Sequence, residues 1–258
     1  MKVVAGKLFL VPNTLDFGIA GLDPLPDLQQ VLPLEVIRTA ARLTHWVAEN
    51  AKTTRAFLNR VNAVVPLRNP LQSLQIVELP RPRKGAPSAP MTPLDALLAP
   101  ALQGHDIGLI SEAGLPAVAD PGAALVEAAH RLAVDVVPMS GPSSLLMALS
   151  ASGLNGQSFA FVGYLPVEAA PRDARIRELE ALSRRSQQTQ LAIETPYRNP
   201  ALMNALLATL APSTRLSVSC GLSLPNGWIR TASVADWKLN PRPLPTDIPA
   251  VFAWLAGT

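Results

Sequence analysis

The chain has 258 residues, 48% hydrophobic and 16% charged, which suits one large or two small folded domains and argues against disorder. No apolar run reaches the roughly 18 residues of a membrane-spanning helix. The balance of 22 Lys+Arg against 19 Asp+Glu does not demand a nucleic-acid partner, and the single cysteine, Cys220, can form neither an internal disulfide nor a cysteine-rich metal site.

The start, Met1 to Lys7, lacks a long apolar stretch before a small-residue cleavage site, so a signal peptide is not expected and the cytoplasm is the expected compartment. Lys7–Val11 reads as a first strand, stopped by Pro12. Thr44–Glu49 reads as a second strand and Lys52–Val61 as the helix after it. Thr92-Pro93 opens a helix to about Leu102, ended by Gly104. Asp106–Ser111 is a buried strand, Pro121–Leu132 a helix, Val134–Met139 a strand, and Ser143–Ser152 a helix entered through Gly141-Pro142. This rhythm predicts a mostly parallel sheet with helices on both faces. A break at Gly153-Leu-Asn-Gly156 sets a domain boundary, giving domains 1–154 and 155–258. Beyond it come a strand at Ser158–Tyr164, a helix at Arg172–Ser186, a strand at Thr189–Glu194 and a helix at Asn199–Leu210. Three strand-like runs follow, Arg215–Cys220, Gly227–Thr231 and Ala250–Leu255, with little helix between them, which predicts a mixed sheet. The fold class is α/β, as two α/β domains.

Three loops each follow a buried strand, where open α/β sheets bind ligands. Ser111-Glu-Ala-Gly-Leu-Pro-Ala-Val-Ala-Asp-Pro-Gly122 holds two carboxylates and two glycines, and Asp120 suits a helix cap before Pro121. Ser140-Gly-Pro-Ser-Ser144 places hydroxyls and free N–H groups at a helix start. Glu194-Thr-Pro-Tyr-Arg198 ends a strand in a carboxylate, followed by a proline turn, an aromatic and an arginine. Each loop taken alone also reads as an ordinary capped turn. The basic clusters Arg81-Pro-Arg83-Lys84 and Arg184-Arg185 read first as a solvated loop and a solvated helix end. The Pro12-Asn13-Thr14 run argues against a dinucleotide fingerprint or a P-loop, and His45, His105 and His130 have no metal-ligand spacing, so no metal is expected.

Taken together, these loops, with Val137–Ser144, Ser150-Ala-Ser-Gly-Leu154 and Phe159-Ala-Phe-Val-Gly-Tyr-Leu-Pro166, resemble the tetrapyrrole methylase superfamily, specifically its ribosomal RNA small subunit methyltransferase I branch. The resemblance runs from Gly6 to about Leu255 and implies two α/β domains with S-adenosylmethionine in the cleft between them, in a homodimer. By position it implies cofactor contacts from Pro12, Ala113, Gly114, Val118, Ser143, Ser144 and Thr195, with Leu222 and Pro249 as looser carry-overs. The branch methylates a cytidine 2′-hydroxyl of 16S ribosomal RNA. This chain departs from it at Val11-Pro-Asn-Thr-Leu-Asp-Phe-Gly18, at Glu49-Asn-Ala-Lys52 and at Ser219-Cys-Gly-Leu222, as a divergent sister subgroup would.

Methyl transfer from a sulfonium is a direct displacement that rests on positioning, with near-attack distances of about 3–3.5 Å. A hydroxyl acceptor must lose a proton, and Glu194 or Glu112 is the expected catalytic carboxylate, with Asp120 read as a cap. Tyr197 and Arg198 are candidates to meet a substrate base or phosphate. The acceptor is ribosomal RNA or, as an alternative, a tetrapyrrole or other small molecule. A non-catalytic cofactor-binding protein is the reading from a different class.

Overall fold

The computed structural model describes residues 4–16, 27–80 and 94–257. The described chain divides into two compact units, the first ending at Pro142 and the second beginning at Ser143. The Thr92-Pro93 helix start, the Arg81–Lys84 cluster and Phe17-Gly18 lie outside the described residues.

The first unit holds β1 (Leu8–Leu10), β2 (His45–Ala48), β3 (Gln75–Glu78), β4 (Ile107–Ile110) and β5 (Val136–Pro138), ordered β3-β2-β4-β1-β5. Every pairing is parallel, with Leu8 opposite both Ile107 and Val136, and His45 opposite both Gln75 and Ile107. The central strand β4, Ile-Gly-Leu-Ile, is buried at all four positions, as a parallel strand covered on both faces must be. Its side chains alternate between two cores. Ile110 joins Phe9, Trp46 and Ala48 under α1 (Leu34–Arg42) and α2 (Ala51–Val64). Ile107 and Leu109 join Leu8 and Val47 under the short helices α3 (Leu94–Leu97) and α4 (Ala99–Leu102) and the helix α5 (Ala123–Arg131). Helix α2 starts where Asn50 caps it, its Oδ1 accepting from the Lys52 and Thr53 N–H groups at 3.0 and 3.4 Å.

The second unit holds β6 (Phe159–Phe161), β7 (Thr189–Glu194), β8 (Arg215–Cys220), β9 (Trp228–Ser233) and β10 (Ala250–Leu255), ordered β6-β7-β10-β8-β9. Only β6 and β7 run parallel; the other pairings are antiparallel. Its sheet is mixed, as expected. One face packs Ala192, Phe252, Trp254, Leu216 and Val218 against α7 (Ala169–Ser186), α8 (Asn199–Thr209) and α9 (Val234–Leu239), whose Trp237 donates its indole N–H to the Leu216 carbonyl at 2.8 Å. The only cysteine, Cys220, sits in this core, and burial pushes its thiol pKa up.

The opposite face is covered by α6 (Ser144–Ser152), through Leu145, Ala148 and Leu149 against Leu191, Val251 and Ala253. The Thr231 hydroxyl also donates to the Ser152 carbonyl at 2.7 Å. Helix α6 therefore packs with the second sheet, and the division falls after Pro142, ahead of the expected boundary at 154/155. Three further elements differ from the sequence reading: α1, the polar edge strand β3, and α9, which lies between β9 and β10 where little helix was expected.

At the amino end of the first sheet the His45 and His105 rings stack at 4.9 Å. Burial, and then the neighbouring His105, hold His45 below the ordinary histidine value of 6.5. The folded state thus disfavours the charged ring, and its stability is full above that value and falls as the pH drops below it. Urea denaturation at about pH 7.5 and about pH 5.5 should show a smaller unfolding free energy at the acid end, and His45→Phe should flatten the difference.

Candidate active site

Because the strands of the first unit are parallel, the turns after β1, β2, β4 and β5 emerge on one edge. Asn13, almost wholly buried, fastens two of them. Its backbone N–H donates to the Gly114 carbonyl at 2.9 Å, and the Gly114 N–H donates to the Asn13 carbonyl at 3.2 Å. The Asn13 side-chain amide donates to the Ser111 and Glu112 carbonyls at 3.2 and 3.1 Å, and its Oδ1 accepts from Thr14 N–H at 2.8 Å. Gly114 has φ +65°, which an L side chain adopts only with strain. Gly141, in the turn after β5, lies so close to Pro12 that a Cβ there would stand 2.3 Å from the Pro12 Cβ.

The β4 loop is bent further by Ala117 at φ 65° and Ala119 at φ 63°. Left-handed non-glycine residues are uncommon and gather at functional loops. Between them Val118 is pushed out to 45% exposure. The turn after β1 is anchored from behind by Arg60 on α2, which donates to both Asp16 oxygens at 3.1 and 3.0 Å and to the Thr14 hydroxyl at 3.2 Å. Thr14 donates in turn to Asp16.

Besides Asp16, this edge carries Glu49, Glu112 and Asp120, whose charges act on one another. Glu49, just after β2, accepts from the Glu112 N–H at 3.0 Å. Asp120 is pushed up to about 7, first by burial and then by the negative charges of Glu49 and Glu112. Asp120 is not the cap that the sequence suggested: α5 begins at Ala123 behind Gly122, whose φ of 135° places the turn two residues later, with no side-chain cap bond. The buried Ser111 hydroxyl faces Asp120 and partly offsets that rise.

In the second unit, Glu194 ends β7 with its side chain 4% exposed. One of its oxygens accepts from the Thr195 N–H at 2.8 Å and the Thr195 hydroxyl at 3.2 Å; the other pairs with Arg198 at 2.9 Å. Glu194 and Arg198 therefore satisfy each other, whereas Tyr197 between them is 69% exposed. Strand register sets Ala250 opposite both Glu194 and Cys220, so Pro249 and Leu222 sit on the same sheet edge as Thr195. The Gly221 N–H donates to the Pro249 carbonyl at 2.9 Å. Ser143 is the N-cap of α6 but makes no side-chain cap bond, and Ser144 is half-buried.

The structure thus brings together Pro12, Glu112 and Gly114 in one unit, and Glu194, Thr195, Arg198, Leu222 and Pro249 on one edge of the other. Ala113 and Val118 stand in the same β4 loop. Sequence reasoning missed Asn13, Asp16, Arg60 and Glu49. The signal open to it was a polar run directly after each of the first two strands.

The two sheets, one wholly parallel and one mixed, with turns gathered at strand ends, define a two-domain α/β protein. The model of Tetrapyrrole (Corrin/Porphyrin) Methylases matches residues 33–236, and the chain belongs to that family. Among curated relatives it is similar to the Ribosomal RNA small subunit methyltransferase I of Vibrio cholerae, 41% identical over 97 residues, covering 38% of this chain and 32% of that protein. The protein of the same name from Halalkalibacterium halodurans is 28% identical over 187 residues, covering 72% of this chain and 58% of that one. The matches therefore span from about a third to under two thirds of these relatives' length.

Two solved structures share the fold. Uroporphyrin-III-C-methyltransferase from Thermus thermophilus is 20% identical, with TM-score 0.52 over 97% of this chain and 92% of that one. The methyltransferase CobJ is 16% identical, with TM-score 0.56 over 98% and 95%.

Replacing Asn13 by Ala leaves the buried Ser111 and Glu112 carbonyls without their donors. It should cost about 1–3 kcal/mol in urea denaturation and speed hydrogen exchange at the Gly114 amide.

Proposed function

We propose that this chain is an S-adenosylmethionine-dependent methyltransferase whose acceptor is a ribosomal RNA 2′-hydroxyl. The observation that carries the proposal is the clasp of the β1 and β4 turns by Asn13 and Gly114, which fixes the loop that the family resemblance assigns to the donor. The residues fit such a donor. It carries a positive sulfonium, and Glu49 and Glu112 supply negative charge at the strand ends. When bound, S-adenosylmethionine supplies an electrophilic methyl group and departs as a neutral thioether.

From the first unit we assign Pro12, Ala113, Gly114 and Val118 to holding the donor. From the second we assign Ser143, Ser144, Thr195, Leu222 and Pro249. Tyr197, on an exposed turn, offers a stacking face to a nucleotide base. Glu194 and Arg198 serve that turn as an internal anchor, since each neutralises the other. Glu112 acts beside Asp120, and proton transfer from the acceptor falls to the first unit's carboxylates. The relatives named for ribosomal RNA support the acceptor class, and the ribosome's presence in the cytoplasm supports that compartment. Among the described residues, no helix is long and apolar enough to cross a membrane. The working assembly is a homodimer.

Calorimetric titration should give S-adenosylmethionine binding with Kd of about 1 µM–1 mM. Tritiated methyl should then appear in small ribosomal subunits and not in tetrapyrroles. Absence of any binding heat would end the proposal, and label in tetrapyrroles alone would move the acceptor to that class. A sedimentation mass of one chain would remove the homodimer.

A further inference from the structure

From Val136 to Val167 the chain carries no charged residue. Near the end of that run lies β6, Phe159-Ala-Phe161, with Phe159 43% and Phe161 37% exposed. Tyr164 and Val167, just beyond it, are exposed as well. β6 is the last strand on its side of the second sheet, and among the described residues it pairs only with β7. The Thr189 N–H donates to the Ser158 carbonyl at 2.9 Å, and the Val162 N–H donates to the Leu191 carbonyl at 2.8 Å. Backbone groups alternate in direction along a strand, so Ala160 also turns its pair to β7. Phe159 and Phe161 turn theirs outward. Phe161 stands in register with Leu191, so both rings lie on the sheet face that α6 packs against. That helix lies chiefly over β10, β8 and β9 and leaves the β6 margin uncovered. Edge strands are usually blunted by a charge or a proline, and β6 has neither.

We propose that β6 is the seat of the homodimer. It pairs antiparallel with β6 of a second copy about a two-fold axis at Ala160, joining two five-stranded sheets into one. This rests on the homodimer reading.

The edge is complementary to itself, as a two-fold interface requires. Reversed about Ala160, Phe159 of one copy stands opposite Phe161 of the other. Their outward N–H and C=O groups then meet as a hydrogen-bonded pair, twice over. The rings fall into two cross-strand aromatic pairs on one face, and no like charges are set against each other. The same neutrality disfavours other occupants. Nucleic acid is held through cations that neutralise its phosphates, and a lipid surface is met by lysines and arginines flanking the apolar side chains. The exposed side chains and strand edges of two copies would cover on the order of 1,000 Å², the lower bound for a specific interface. The pairing is therefore of micromolar strength and reversible.

The test uses the full chain. Sedimentation equilibrium from about 1 to about 100 µM should show the wild type passing from one chain to two. Leu239→Lys, a control on an exposed position of α9 beside the opposite edge strand β9, should behave in the same way. Phe161→Lys should remain one chain across the range, with unchanged circular dichroism. The two copies of Ala160 form a non-hydrogen-bonded pair, with Cα atoms about 4.5 Å apart and within disulfide reach. Mild oxidation of Ala160→Cys should therefore give a two-chain band on a non-reducing gel. The wild type, whose Cys220 is buried, should give none. This crosslink covers the case of Phe161→Lys failing to fold. A wild-type dimer that withstands Phe161→Lys, with no crosslink through Ala160→Cys, overturns the β6 pairing and leaves the homodimer standing. A wild type that stays one chain throughout overturns both.

Discussion

The candidate site depends on one buried amide. Asn13 uses its backbone and its side chain to hold the β1 turn against the β4 turn, and no polar group on it is left idle. A buried amide satisfied at every position cannot shift without exposing several unpaired groups at once. The turn after β1 is thereby fixed by the clasp at Asn13 and again, three residues on, by Arg60 at Asp16. The left-handed alanines of the β4 loop persist because the structure on either side of them is rigid.

Electrostatics divides the labour between the carboxylates. Glu194 is paired within one turn of chain, by an arginine four residues on, so its charge serves local order. Asp120 is pushed up to about 7, first by burial and then by the negative charges of Glu49 and Glu112. Placing chemically identical groups in opposed environments is a common way to assign distinct acid–base duties. The residues closest in sequence to a motif are thus not always those with the required proton affinity.

Much of the fold was legible because buried strands announce themselves. Thr189–Glu194, Arg215–Cys220 and Ala250–Leu255 coincide with β7, β8 and β10, since each run is mostly apolar or small between its ends and stops before a turn. The edge strand β3 was not legible, as Gln75-Ile-Val-Glu78 is largely exposed and lacks a buried alternation. Helix α1 lies in a proline-spaced stretch that hides its start at Pro33. The allegiance of α6 follows from packing with strands far along the chain, which local pattern cannot report. The loops of the site were legible as turns after strands. Their electrostatics was not, because Glu49 lies 71 positions before Asp120 and meets it only through the parallel order of β2 and β4.

Cys220 has a use of its own. It is the chain's single thiol, sealed in the second unit's core between Ala250 and Trp228, with burial disfavouring the thiolate that reagents attack. Alkylation must therefore wait for that sheet to open. The chain thus carries a native chemical clock for the breathing of one unit, with no thiol in the other to confuse the reading.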